Sequence, residues 1–171
     1  MALKEFKNLP DTSTPLNAEN LNYNFDLMSN MITVRGSGTT SLTTTSESET
    51  ITIPLNETVA NVGDKLTFNN GDDCIVIGAG VSYVSVSCGT AIQLTTSGMT
   101  YQNLIIYKNS TQLSIVAQIK TLQSSDIRPY VNMSDILVPV SQGDKISLKL
   151  FNRLAGSINV SGQYLTVKVI A

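Results

Sequence analysis

The 171-residue chain has no histidine, no tryptophan and only two cysteines. Histidine is the commonest general base and the commonest zinc ligand, so its absence excludes a histidine-based catalytic triad and removes most zinc sites. The two cysteines do not form a Cys-X-X-Cys pair, and no glycine-rich phosphate-binding motif occurs. We therefore expect a protein that is not an enzyme, with no catalytic residue, no metal site and no cofactor.

Charged residues are also scarce. Eleven Lys and Arg residues stand against thirteen Asp and Glu residues, and the basic residues are dispersed along the chain. Such a chain lacks the positive surface that nucleic acids and anionic membranes select. The first residues lead into mixed polar sequence, and no apolar run is long enough to cross a membrane. We expect synthesis in a cytoplasm, with no nucleic acid partner and no membrane insertion.

The two cysteines, Cys74 and Cys88, are expected to be free. Cys88 shares its alternation phase with the valines of the sequence before it, which predicts an inward-facing side chain. Nothing in the sequence indicates the oxidising compartment that a disulfide needs. The neighbouring acids Asp72 and Asp73 could contribute oxygens to a Ca²⁺ site, but they follow Asn-Asn-Gly, which favours a role in a turn.

Residues 18–32 are predicted to form one short amphipathic helix. Asn17 is a good N-cap, and four apolar residues then recur at spacings of four, three and four, which places them along one seam. These residues are Leu21, Phe25, Met28 and Ile32. The helix would be about 22 Å long, too short to be stable alone. Its seam must therefore pack either against the rest of the chain or against copies of itself, as a trimeric neck.

The composition divides the chain into three segments. Residues 1–35 hold two prolines and the predicted helix, residues 36–50 are dominated by Ser and Thr, and residues 51–171 form the remainder. Low-complexity Gly/Ser/Thr sequence is typical of flexible or extended linkers. We predict an N-terminal attachment segment with a neck helix, a linker, and a head domain that begins at residue 51.

From residue 51 onward the apolar residues alternate with polar ones, which predicts half-buried β-strands. The alternating segments include Ile51–Leu55, Leu66–Phe68, Ile75–Ile77, Val84–Cys88, Leu113–Ile119, Ile146–Leu150 and Leu165–Val169. Residues 104–107 are apolar throughout, as in a strand that core or a neighbouring subunit covers on both faces. Turn residues separate nine or ten such strands, and no second helix is present to build a βαβ unit. The fold class is therefore mostly β, an antiparallel sandwich.

Two stretches of the head are similar to each other. Gly63-Asp64-Lys65 and Gly143-Asp144-Lys145 each precede an alternating segment. We interpret them as equivalent corners of the sandwich, because a match this short is too weak to indicate a duplication.

The head resembles the jelly roll of the tumour-necrosis-factor-like family, which also forms the globular heads of complement and collagen-like trimers. The matching segments are residues 74–86, the hairpin at 105–109, the segment 138–150 and the closing strand at 164–170. Together they span most of residues 48–171. The resemblance implies a compact homotrimer whose strands pack around a threefold axis.

The N-terminus is similar to the virion-attaching ends of fibre and baseplate proteins of phages that infect Gram-positive bacteria. The stretch that carries this likeness runs from residue 8 to residue 22, and the resemblance implies attachment through Leu9, Pro10, Pro15, Leu16 and Asn17. In that family the segment docks the fibre on the particle. The resemblance implies a virion protein, made in the host cytoplasm, whose partners are capsid, portal or baseplate proteins.

A receptor-facing surface is expected in two places. Asp126, Arg128 and Tyr130 surround a proline in one segment, although Tyr130 could instead begin the next strand and pack inside. Tyr101, Gln102 and Asn103 combine an aromatic ring with amides, a combination that can stack on a sugar and bind its hydroxyls.

The sequence thus favours a non-enzymatic trimeric fibre or spike whose head binds host-surface polysaccharide. One alternative is a capsid- or tail-decorating protein without a receptor, and another is a polysaccharide depolymerase head. Exposure distinguishes them, since a receptor head presents an aromatic patch and a depolymerase presents clustered carboxylates in a cleft.

Overall fold

The computed structural model describes residues 29–94, 100–121, 130–153 and 155–171, and these residues form twelve β-strands. The strands are β1 (Met31–Arg35), β2 (Thr39–Thr44), β3 (Glu49–Thr52), β4 (Glu57–Val62), β5 (Leu66–Asn69), β6 (Cys74–Ile77), β7 (Tyr83–Leu94), β8 (Thr100–Lys108), β9 (Thr111–Thr121), β10 (Tyr130–Pro139), β11 (Lys145–Asn152) and β12 (Gly156–Val169). A helix long and apolar enough to cross a membrane is not found in this part of the chain.

The strands form two antiparallel sheets. Sheet A has the order β10-β7-β12-β1-β4, and β2 also pairs with β12; sheet B has the order β5-β6-β11-β8-β9, and β3 also pairs with β11. Alternate residues of both sheets face each other and build one core of Ile, Leu and Val. The predicted antiparallel jelly-roll sandwich is confirmed.

The core follows from the alternation of the central strands. Leu165, Val167 and Val169 of β12 are each 0% exposed, as are Ile146 and Leu148 of the facing strand β11. Burying one such side chain stabilises the fold by about 1.5–3 kcal/mol, an upper figure because unfolded chains already bury some apolar surface. The side chains between them face outward, so each sheet has an inner face and an outer face.

The two Gly-Asp-Lys stretches do occupy equivalent corners. Gly63 and Gly143 have φ values of +79° and +86°, a left-handed conformation that favours glycine. The strands that follow them, β5 and β11, pair with the two edges of β6.

The predicted neck helix does not extend to Ile32. Ile32 lies in β1, is 1% exposed, and pairs with Val167 on one side and Asn61 on the other. The run Ile-Thr-Val is β-branched, which favours a strand, and Val34 repeats the inward phase of Ile32. The prediction for Ile32 is therefore wrong, while Leu21, Phe25 and Met28 lie outside the described residues.

The predicted linker is largely part of the sandwich. Residues 39–44 form β2, which pairs with β12 and turns Leu42 and Thr44 into the interior. The Glu49 carboxylate then accepts hydrogen bonds from the backbone N–H groups of Thr45 and Ser46 at 2.7 and 3.2 Å, which closes the turn into β3. Threonine is a good strand former, so composition alone misled the prediction, and the sandwich begins at Met31 instead of residue 51.

The sandwich has two opposite ends. At the end called the near end, the backbone carbonyl of Asn30 accepts a hydrogen bond from Val169, and that of Ala171 accepts bonds from Ser82 and Tyr83. At the other end, the far end, β7 finishes at Leu94 and β10 begins at Tyr130. The chain therefore enters β1 at the end opposite to the last residue of β7 and the first residue of β10.

Candidate interaction surfaces

The outer face of sheet A carries unusual apolar exposure. Among the residues that the structure describes, every exposed large hydrophobic side chain belongs to a strand of sheet A or directly follows β12. They are Val59, Val62, Tyr83, Tyr130, Leu137 and Ile170. Leu137 is the most exposed at 62%. None of the described side chains of sheet B belongs to this set.

The register brings small and hydroxyl-bearing side chains together across the middle of this face. Ser87, Thr166, Thr33 and Ala60 stand side by side on four neighbouring strands. The hydroxyl oxygens of Thr33 and Thr166 are 2.9 Å apart, within hydrogen-bond distance. These small side chains leave a surface with few charges between the edge strands β10 and β4.

Two tyrosines converge over a glycine at the far half of the face. A Cβ on Gly89 would lie 2.7 Å from Tyr164 Cε1, 3.0 Å from the Val131 carbonyl oxygen and 3.1 Å from Tyr130 Oη. Only glycine therefore leaves room for the rings of Tyr130 and Tyr164 at this point. Burial raises the pKa of the Tyr164 phenol, whereas Tyr130 is 54% exposed.

An open groove of about 660 Å³ lies beside Tyr164, between the β1–β2 connection and a bulge in β12. Arg35 at its wall donates from Nε and Nη2 to the Glu57 carboxylate at 2.8 and 3.0 Å. These bonds lower the pKa of Glu57. Under the groove, the Gln163 side chain packs against Gly36 and donates to the Pro54 carbonyl at 3.3 Å.

The predicted receptor residues are separated by the structure. Tyr130 does begin strand β10, but its ring faces outward while Val131 packs against the core, so the alternative of an internal Tyr130 is wrong. Asp126 and Arg128 lie outside the described residues. Tyr101 lies in β8, and its side chain is likewise not described.

Gln102 and Asn103 lie in β8 on opposite faces of sheet B. Gln102 is 0% exposed and shares the inward phase of Leu104, and neither atom of its amide has a hydrogen-bond partner. The prediction that Gln102 contacts a ligand is wrong, because alternation places its side chain in the core. Asn103 faces outward but is only 9% exposed, and its amide oxygen accepts no hydrogen bond.

The acids of the β5–β6 turn are engaged locally. Asp72 accepts a 2.7 Å hydrogen bond from Lys145 Nζ, which lowers the carboxyl pKa, and Asp73 accepts one from the Leu55 backbone at 2.9 Å. The structure groups no three potential metal-ligating side chains within the described ranges. Cys74 and Cys88 are both free and buried, and burial raises the pKa of Cys88 to about 12, so the inward orientation of Cys88 is confirmed.

Sequence reasoning missed Gly89, Tyr164 and Leu137. Tyr164 and Leu137 do alternate with buried neighbours, so their outward phase was readable. What the sequence does not give is the register that brings Tyr164, Gly89 and the start of β10 together from three strands.

No protein-family model matches the chain, and the comparison with curated proteins finds no relative. Among solved structures, the Eiger TNF of S. frugiperda is similar with a TM-score of 0.57 and 9% sequence identity, covering 84% of this chain and 93% of that one. Murine APRIL at pH 8.5 is similar with a TM-score of 0.53 and 13% identity, covering 82% and 98%. The chain therefore has the fold of the tumour-necrosis-factor-like jelly rolls.

Proposed function

We propose that this protein is a non-enzymatic structural and adhesion protein of a phage particle. It is a homotrimeric fibre or spike, made in the host cytoplasm and carried on the virion. Its N-terminal segment, with Leu9, Pro10, Pro15, Leu16 and Asn17, attaches to a capsid, portal or baseplate protein. Its head faces outward and binds the host surface.

The observation that carries the proposal is the apolar exposure on sheet A, to whose strands or end all exposed large hydrophobic side chains of the described residues belong. Exposed apolar side chains on soluble proteins mark interaction surfaces, and those of sheet A include residues on both of its edge strands, β10 and β4. A closed ring needs two different patches on each copy, and sheet A offers a protruding edge at Leu137 and a low face around Thr33. Burial of Leu137 and Tyr130 against the next copy would remove the exposure.

This surface replaces the two arguments for a trimer that the sequence suggested. Ile32 belongs to the core of the sandwich and not to a neck seam. Ile105, the outward-facing member of the apolar run in β8, is already only 3% exposed within one chain, so it needs no neighbouring subunit. Support for self-association therefore comes from sheet A, not from sheet B.

The two ends of the sandwich support attachment and display. The described chain starts at the near end beside Asn30, so the N-terminal segment leaves from that end. The last residue of β7 and the first residue of β10 lie at the far end, about the length of the longest strands away. A particle anchored through the N-terminus would hold the far end outermost.

The test is incorporation into particles. A tagged full-length chain and a tagged chain of residues 29–171 would be produced in cells that make the phage, and the amount of each in purified particles would be measured. We expect the full-length chain to be incorporated and the shorter chain to be absent. Equal incorporation would contradict attachment through the N-terminus.

A second measurement tests the host-binding part of the proposal. Purified full-length protein would be added to host cells before the phage, and we expect it to slow adsorption. Incorporated protein that neither binds cells nor slows adsorption would assign the chain to the decorating class instead.

A further inference from the structure

The outer face of sheet B carries a line of cation, aromatic ring and cation along one strand. Lys149 and Phe151 alternate with the buried residues of β11, and Arg153 follows the end of the strand. Within the described ranges, Lys145 and Lys108 each have a carboxylate within 4.0 Å, whereas Lys149 and Arg153 have none. Two positive charges on this face therefore lack a counterion among the described residues.

An aromatic surface accompanies these charges. Phe151 is partly exposed and is not among the side chains packed against the core. The ammonium of Lys149 lies 4.5 Å from the centroid of the Tyr107 ring, a cation–π contact that holds the lysine flat on the sheet. The Tyr107 ring is thus covered by a cation, whereas the Phe151 ring is partly exposed.

An unused acceptor lies directly beside the exposed ring. Phe151 is the cross-strand partner of Asn103 on β8 and of Thr50 on β3. The Asn103 amide oxygen accepts no hydrogen bond although the residue is 9% exposed, and an unpaired buried polar group costs free energy. The oxygen itself is buried, so it is not an open contact point for a ligand.

We propose that this face, defined by Asn103, Lys149, Phe151 and Arg153, binds an acidic oligosaccharide of the cell surface. A sugar ring stacks on Phe151, and carboxylate or phosphate groups of the glycan pair with Lys149 and Arg153. Lys149 and Arg153 are about 13 Å apart along the strand, so the ligand spans more than one sugar unit. Two isolated cations on a chain of net charge −2 do not suit a nucleic acid.

The inference rests on the proposed function and gives it a ligand and a site. The site lies on sheet B, while the proposed contact between copies uses sheet A, so one trimer presents three accessible sites. Three weak sites on one rigid head bind a repeating polymer far more strongly than one site does.

The test uses the full-length protein and a panel of hexasaccharides in calorimetric titrations. The acidic probes are hexamers of galacturonate and glucuronate and a phosphate-substituted glucose hexamer; the neutral probes are unsubstituted glucose and galactose hexamers. We expect at least one acidic probe to bind more tightly than both neutral ones, and the difference to shrink as salt is raised. No binding by any acidic probe, or equal binding by neutral ones, would overturn the site.

Variants assign the binding to this face. Phe151→Leu, which keeps apolar volume but removes the ring, and Lys149→Gln with Arg153→Gln are each expected to weaken binding about tenfold, a difference of about 1.4 kcal/mol. Phe151→Tyr should retain binding, and Lys65→Gln, which removes one charge at the near end, should leave it unchanged. Unaltered binding in the first two variants would exclude the site.

Adsorption to host cells, measured in parallel, separates this inference from the proposed function. If the full-length protein adsorbs to cells and the variants adsorb equally well, the site is wrong and the function stands. If the protein binds the acidic probes through this face but does not adsorb to cells, the site stands and the function is wrong.

Discussion

Two neighbouring residues of β7 act on opposite sides of sheet A. Gly89 lies under the outer tyrosines, and Cys88 points into the core. Both positions are buried, so even a single added methyl group or charge there is expected to change the stability of the fold.

Replacing Gly89 by Ala is expected to destabilise the protein by about 1–3 kcal/mol, since the new methyl meets Tyr164 and a backbone carbonyl that cannot easily move. It should also tilt the tyrosines and weaken self-association. Urea unfolding and light scattering measure the two effects. Gly71→Ala is the matched control, because its Cβ would meet only Asn69 Oδ1 at 3.4 Å; a Gly89 variant as stable as this control would contradict the packing described.

The buried Cys88 thiol is expected to lower the free energy of unfolding at alkaline pH. Its pKa is about 12 in the folded protein against 9.0 for an unperturbed thiol, so the unfolded chain loses its proton first as pH rises. Stability from this group is complete below pH 9 and falls between pH 9 and 12, by about 2 kcal/mol at pH 10.5.

Comparison with Cys88→Ala isolates that effect. The variant should be less stable at pH 8, because it leaves a small cavity, and the gap should close as pH approaches 10.5. The measurement is urea unfolding of both proteins under reducing conditions. Stability curves that stay parallel from pH 8 to 10.5 would rule out the buried thiol as the cause.

At the scale of elements, the strands that were predictable are those buried on one face. In segments such as Ile146–Leu150, every second side chain is buried against the opposite sheet. This alternation can be recognised within a few neighbouring residues of the sequence. The strand β4 lies at the edge of sheet A, and its residues are mostly exposed, so neither period nor hydrophobicity marks it. β2 has a single fully apolar residue, Leu42, and its pairing with β12 joins positions more than 100 residues apart.

The same reasoning explains the outcome for the site. Tyr130 was predicted at the surface because it lies beside a proline and two charged residues, with packing inside a strand as the alternative. The alternation of β10 decides between them, since it turns Tyr130 outward and Val131 toward the core. Gln102 was misplaced because a polar residue with inward phase contradicts the composition of a core. Lys149 was predicted only as part of an alternating strand. Its lack of a nearby carboxylate, and the position of the Phe151 ring beside it, depend on how the strands pair in the folded sheet.

The boundary of the sandwich gives a prediction about truncation. A chain of residues 29–171 should fold, whereas a chain of residues 51–171 should not, because it lacks β1 and β2 with the core residues Ile32, Val34 and Leu42. Loss of three buried apolar side chains costs about 5–9 kcal/mol, comparable with the whole stability of a domain. Circular dichroism and thermal melting show whether each of the two chains folds. A cooperative thermal transition of the chain of residues 51–171 would show that the sandwich can begin at residue 51.

For the whole molecule, light scattering is expected to give three times the 18.4 kDa of one chain. Leu137→Asp should dissociate the trimer, since three carboxylates would be buried in the contacts, without unfolding a side chain that is 62% exposed in one copy. Thr67→Asp, an exposed position on sheet B, is the control. A monomeric wild type, or a Leu137 variant that remains trimeric, would exclude sheet A as the contact.

The pairing of β1 and β2 with β12 also determines when the head can fold. Thr33 and Thr166 are hydrogen-bonded neighbours although 133 positions separate them, so sheet A lacks its central strand until the last part of the chain has been synthesised. At ribosomal speeds of about 5–20 residues per second, β1 waits roughly 7–27 s for its partner. The head therefore cannot be completed before β12 has been synthesised, and assembly with other copies must follow that step.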